Sequence, residues 1–156
     1  MTRRDFIKNT MAFAGAATLA PLFFGGKLQA ADDEQELRRF KRQFDKFGGK
    51  TAVDGSGIIK LNIPEYPENG ATVPVEVEID HPMEADNYIA KITVLVEMNK
   101  GKHVITANYT PDNGMAYLFV NAKLGGTQHV VVLAETNTGK VYTHKKKINV
   151  ALGGCG

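Results

Sequence analysis

Four apolar residues in strict alternation constrain this chain more than any other feature. Val73, Val75, Val77 and Ile79 fall on one side of an extended backbone, with Glu76 and Glu78 on the other. A strand repeats every two residues, so this segment must rest one face on a core and leave the other in water. Pro74 lies inside the run and has no N–H for a ladder, which predicts an edge strand or a bulge. The same period recurs in Ile59 to Ile63, Tyr88 to Met98, Val104 to Tyr109, Ala116 to Ala122, His129 to Glu135 and Val141 to Val150. Turn chemistry separates these runs: Pro64 to Gly70, His81-Pro82, Asn99 to Lys102 as a hairpin, Thr110 to Gly114, Gly125-Gly126 and Asn137 to Gly139. Seven short strands at this spacing predict a mainly β protein, an immunoglobulin-like antiparallel β-sandwich or a related barrel.

One segment has the other period. Leu37, Phe40, Phe44 and Phe47 recur every three or four residues, which predicts an N-terminal helix over 32–47. Asp32 and Asp33 would complement its positive end, and Gly48-Gly49 would stop it. Arg38, Arg39, Lys41, Arg42 and Lys46 occupy its other faces, as a solvated surface or as a site for an anion or acidic partner.

Upstream of this helix the chain does not read as fold. Arg3-Arg4 opens an apolar stretch from Met11 to Phe24, and Leu28-Gln29-Ala30 follows as a small-residue cleavage site. That order marks residues 1–30 as an export signal of the twin-arginine type, which moves folded proteins into the bacterial periplasm. The apolar run is shorter than the roughly 20 residues a membrane helix needs. The signal holds four of the nineteen Lys and Arg (Arg3, Arg4, Lys8, Lys27) and one of the seventeen Asp and Glu (Asp5). Fifteen bases and sixteen acids remain, which removes the case for nucleic acid as a partner. No long apolar run follows Ala30, so no membrane span is expected. Residues 31–150 form the helix-plus-sandwich domain and 151–156 a C-terminal arm.

The chain has one cysteine, and it ends Ala151-Leu152-Gly153-Gly154-Cys155-Gly156. Structural cysteines of an oxidising compartment come in pairs, so an unpaired one suggests a reactive thiol or an intermolecular bond. Gly153, Gly154 and Gly156 have no side chains to anchor the tail in a core, which predicts a thin, flexible arm. From Val150, five residues carry the sulfur of Cys155 roughly 16–18 Å. Such an arm can enter a narrow pocket of another protein. A self-contained thiol enzyme would instead fix its nucleophile beside a base or a resolving cysteine. An assembly module locked by a Cys155 disulfide is the remaining alternative. A single cysteine without paired Cys or His spacing does not make a metal site, and no cofactor is implied beyond covalently held sulfur.

The segment Pro64-Glu65-Tyr66-Pro67-Glu68-Asn69-Gly70-Ala71-Thr72-Val73-Pro74-Val75, the twin-arginine start and the terminal Gly153-Gly154-Cys155-Gly156 together resemble the SoxY sulfur carriers of bacterial thiosulfate oxidation. Members often carry a further glycine after this ending; here the carboxylate of Gly156 lies closer to the sulfur. The resemblance implies that Cys155 is the covalent attachment point and that the protein is worked on by others. A c-type cytochrome would join thiosulfate to it, a thiosulfohydrolase would release sulfate and leave a persulfide, and a sulfur dehydrogenase, where present, would oxidise that sulfur further. It also implies a SoxZ-like β-sandwich subunit as a heterodimer partner. His81, His103, His129 and His144 share no short spacing and read as surface or strand residues. Lys145-Lys146-Lys147 reads as a solvated strand end or as an attractor of anions near the thiol.

Overall fold

The computed structural model describes residues 25–151. The chain divides into two units between Ala31 and Asp32, and the second carries both sheets. Helix α1 (Gly25–Lys46) leads to eight strands: β1 (Val53–Asp54), β2 (Ile59–Asn62), β3 (Val73–Ile79), β4 (Ile89–Val96), β5 (His103–Asn108), β6 (Ala116–Ala122), β7 (Gln128–Thr136) and β8 (Val141–Ile148). They form a five-stranded sheet, β1-β8-β7-β4-β5, and a three-stranded sheet, β2-β3-β6.

The two sheets face each other across the main core. Val73, Val75, Val77 and Ile79 of β3 pack with Ile92, Val94 and Val96 of β4, Val130, Val132 and Ala134 of β7, and Ile148 of β8. The intervening residues of β4 and β7 are also buried, because the far face of the large sheet is covered. There Leu95, Val131, Leu133 and Val141 meet Phe40, Phe44 and Phe47. The order of layers is therefore helix, five-stranded sheet, three-stranded sheet. The rings of Phe40 and Phe44 stack 5.9 Å apart. Leu37, placed on the same stripe by its spacing, stays 47% exposed and lies off this cluster.

One ion pair ties α1 to the β4–β5 hairpin. The Lys102 side chain is 3% exposed, and its Nζ donates to Glu36 Oε2 at 2.5 Å and to the Glu97 carbonyl. A buried ammonium needs such partners, since burying a lone charge is costly.

Several expectations are corrected. The helix begins at Gly25, so Asp32 and Asp33 lie inside it rather than at its positive end, and its first turn holds no acid. It stops where predicted: Gly48 adopts φ 87, a left-handed conformation that glycine accepts without strain. Strand β3 is central in its sheet, not an edge, and pairs with β6 without a bulge. Pro74 is tolerated because β2 reaches only as far as Glu76, so Pro74 has β6 alone beside it. The sandwich is not wholly antiparallel: β1, unpredicted at two residues, runs parallel to β8. A register shift between Ile89 and Lys91 turns Ile89, rather than Ala90, into the core.

Leu95→Ala should cost about 2–5 kcal/mol, since it opens a cavity under the helix; urea unfolding monitored by circular dichroism checks this. The Glu36 carboxyl is held below its ordinary range, chiefly by the hydrogen bond from Lys102. A depressed carboxyl pKa gives stability that is complete above the unfolded value of about 4.3 and lost as pH falls through the folded one. Glu36→Gln should therefore flatten the loss of thermal stability on acidification below that point, as read by melting curves between pH 3 and 6.

Candidate functional site

Cys155 and its neighbours Gly153, Gly154 and Gly156 lie outside the described residues, as do residues 1–24 of the predicted signal. The described residues reach the root from which the C-terminal residues depart, and that root is built with care. Residues of β8 alternate between its two faces. Ile148 is fully buried in the inter-sheet core, and Val150, two residues on, is still only 9% exposed. Between them the Asn149 N–H donates to the Glu65 carbonyl at 2.8 Å. The Val150 carbonyl accepts from Thr127 Oγ1 at 3.4 Å.

Thr127 lies just ahead of β7, whereas Glu65 belongs to the Pro64–Val75 segment. Its Pro67 is buried, while Tyr66 stands 73% exposed. The Asn69 side chain accepts the Ala71 N–H at 2.8 Å, a turn that an Asx residue closes on itself. Gly70 then passes close beneath the root. Its carbonyl accepts from Leu124 N at 2.7 Å. A Cβ on Gly70 would stand 2.6 Å from the Leu124 carbonyl oxygen and 2.7 Å from Val150 Cγ1. The structure thus brings this segment against the residues just ahead of Gly153-Gly154-Cys155-Gly156. Nothing in the spacing predicted that contact; the signal that could have pointed to it is a glycine at the centre of an Asx turn, Asn69-Gly70-Ala71.

The three lysines of β8 do different things. Lys146 points between the sheets and donates to the Ile63 carbonyl at 2.7 Å, so it braces β8 against the end of β2. Lys145 and Lys147, one position to either side, are exposed. Lys145 edges a groove of about 410 Å³ beneath α1, whose apolar floor is Phe40, Phe44 and Val131. The four histidines do not converge: His129 Nδ1 lies 2.6 Å from Glu97 Oε2, His81 contacts the Pro82 carbonyl, His103 Nε2 contacts Thr106 Oγ1, and His144 lines the groove beneath α1. Among the described residues no group of three or more His, Cys, Asp or Glu could hold a metal ion. Among them, too, no helix is long and apolar enough to cross a membrane.

A family model for the sulfur oxidation protein SoxY matches residues 44–155. No curated protein matches the sequence at significance. Among solved structures, the sulfur carrier protein SoxY from Chlorobium limicola f thiosulfatophilum superposes with a TM-score of 0.58 at 24% identity, covering 72% of this chain and 94% of its own. A superoxide reductase (neelaredoxin) from Ignicoccus hospitalis superposes with a TM-score of 0.54 at 18% identity, over 60% of this chain and 80% of its own. At these identities both likenesses describe the fold.

Gly70→Ala should loosen the root, because neither the Leu124 backbone nor Val150 can withdraw without opening the core. Its effect is expected as faster amide hydrogen exchange at Asn149 and Leu124, with the rest of the large sheet little changed; equal protection at both amides would contradict the tight fit.

Proposed function

Because the chain belongs to the SoxY family of sulfur oxidation proteins, we propose that it is a covalent carrier of sulfur intermediates, held on Cys155 and processed by partner enzymes. The observation that carries this reading is the extent of the family match: it runs to residue 155 and so includes the chain's sole cysteine. That cysteine follows two glycines and precedes a third, a setting suited to presentation rather than packing.

The chemistry follows from the thiol. Its thiolate is a good nucleophile and bonds sulfur reversibly. On loading, the Cys155 thiolate and the outer sulfur of thiosulfate form an S–S bond, and the two electrons released pass one at a time through c-type haem to two one-electron acceptors. A thiosulfohydrolase then adds water across the terminal S–S(O₃) bond, releasing sulfate with a proton and leaving a persulfide on Cys155. A sulfur dehydrogenase, where present, oxidises the persulfide sulfur with water as oxygen source and takes up the electrons. Each intermediate stays attached, so reactive sulfur is not lost by diffusion. Every enzyme meets the same handle.

The braced root supports this reading. An arm that must thread into foreign active sites needs a fixed origin, and Val150 is held by the core, by the Glu65–Asn149 bond and by the close pass of Gly70. The twin-arginine start supports export of the folded protein to the periplasm, in company with a SoxZ-like subunit that need not carry its own signal. The exported assembly module with a purely structural Cys155 disulfide is the alternative the same experiment addresses.

The test is intact mass of the purified protein after exposure to thiosulfate with the loading cytochrome. A thiosulfonate adduct on the C-terminal peptide, removed by reductant, is expected, and Cys155→Ser should abolish both the adduct and thiosulfate consumption. A disulfide dimer as the sole product, with flux intact in Cys155→Ser, would overturn the carrier reading.

A further inference from the structure

The basic face of α1, left open between solvated surface and anion site by the sequence, meets a second set of cations across the β4–β5 hairpin. Arg39, Arg42 and Gln43 of the helix face Lys100, Gly101, Lys102 and His103, and together they line a groove of about 400 Å³. One carboxylate serves it. Glu36 accepts from Arg39 Nη1 at 3.1 Å and from Lys102 Nζ at 2.5 Å. Two cations therefore share one anion. Arg42, one helical turn after Arg39, and Lys100 add two more positive charges, so among the described residues the groove's lining holds four cations and no carboxylate, with Glu36 bonded to two of the four. Lys100 also acts on the Glu36 carboxyl through space.

The groove is fixed rather than fluid. Lys102 is buried, and its ammonium spends two of its three N–H bonds on Glu36 and the Glu97 carbonyl. His103 lies flat on Phe47, centroids 5.1 Å apart and planes 13° off parallel. The hairpin backbone is clamped from behind: Gln128 Oε1 accepts from Met98 N at 2.8 Å, and Gln128 Nε2 donates to Asn99 Oδ1 at 2.8 Å. Gln128 in turn pairs with Ile148, so this hairpin sits at the same end of the sheet as the root of the C-terminal residues.

We propose that this groove is a binding site for a tetrahedral, multiply charged oxyanion of the sulfate and thiosulfate class. The guanidinium fork of Arg42 matches two oxygens of such an anion, Lys100 supplies a point charge, and Lys102 offers its remaining N–H from the floor. The volume admits the anion with part of its water shell. Its existence does not depend on the carrier role of Cys155, because sulfate does not react with a thiol.

The experiment is a titration of the full chain, ¹⁵N-labelled, with sodium sulfate against sodium chloride at matched ionic strength. Saturable shifts confined to the amides of residues 39–43 and 100–103 are expected, unchanged by Cys155→Ser. The double variant Arg42→Gln/Lys100→Gln should raise the apparent Kd more than about tenfold, as loss of charge-assisted hydrogen bonds requires, while Lys41→Gln/Lys50→Gln, of equal charge change, leaves it within about twofold. Shifts spread over the surface, equal shifts with chloride, or equal weakening by both double variants would each overturn the site. Because Cys155→Ser is silent in this titration and decisive in the loading assay, failure here and failure of the carrier reading are told apart.

Discussion

The whole molecule depends on covering one sheet twice. In β4 and β7 the residues facing the small sheet (Ile92, Val94, Val96; Val130, Val132, Ala134) and those facing away (Leu95; Val131, Leu133) are alike buried. A strand buried on both faces cannot stand in water on either. The three-stranded sheet covers one side. The other is left to Phe40 and Phe44 of one helix and Phe47 just past its end, and that is why α1 belongs to the fold rather than decorating it. Glu36 and Lys102 then fix the helix where its rings are needed, at a point where the ammonium is too buried to be left alone.

Strand β8 joins this core to the site. Its even-numbered residues look between the sheets, which places Lys146, Ile148 and Val150 in one line. Lys146 is a cation in an apolar row, and it is accommodated by reaching out to the Ile63 carbonyl. Val150 carries the row past the last ladder pair, and the Pro64–Val75 segment closes over it. The Pro64–Val75 segment therefore supports the residues that lead into Gly153-Gly154-Cys155-Gly156. Two distant stretches of the chain thus meet where β8 gives way to the C-terminal residues.

The strands that face water on one side were legible because alternation is a direct image of half-burial; β3 and β6 match their predicted limits. The double burial of β4 and β7 was less legible, since a continuous apolar run does not say what covers the second face. Strand β1 escaped because two residues, both exposed, carry no period. Pro74 misled because a proline reports the absence of one neighbour at its own position, not along the whole strand. The bulge at Ile89 shifts the period by one, which a fixed alternation cannot follow. As for the proposed site, Cys155 and its glycines are singled out by composition and place in the chain alone and lie outside the described residues. The root could not be singled out so, because the contact of Gly70 with Leu124 and Val150 joins three distant segments.

Placement gives the cationic groove its meaning for a carrier. Strand order puts β8 next to β7 and β7 next to β4, with β5 beyond. At about 4.8 Å per strand, the β4–β5 hairpin lies roughly 10–15 Å to the side of β8. Five residues beyond Val150 span roughly 16–18 Å when extended. On the proposed carrier role, a sulfur oxyanion held between Arg42 and Lys100 would lie within the length of chain that separates Val150 from Cys155. An oxyanion and a thiolate are both negative and repel each other in solution; on the proposed role, a groove lined by four cations would offset that repulsion. On that proposed role, cations held on α1 and the β4–β5 hairpin leave the Gly153, Gly154 and Gly156 positions free of side chains.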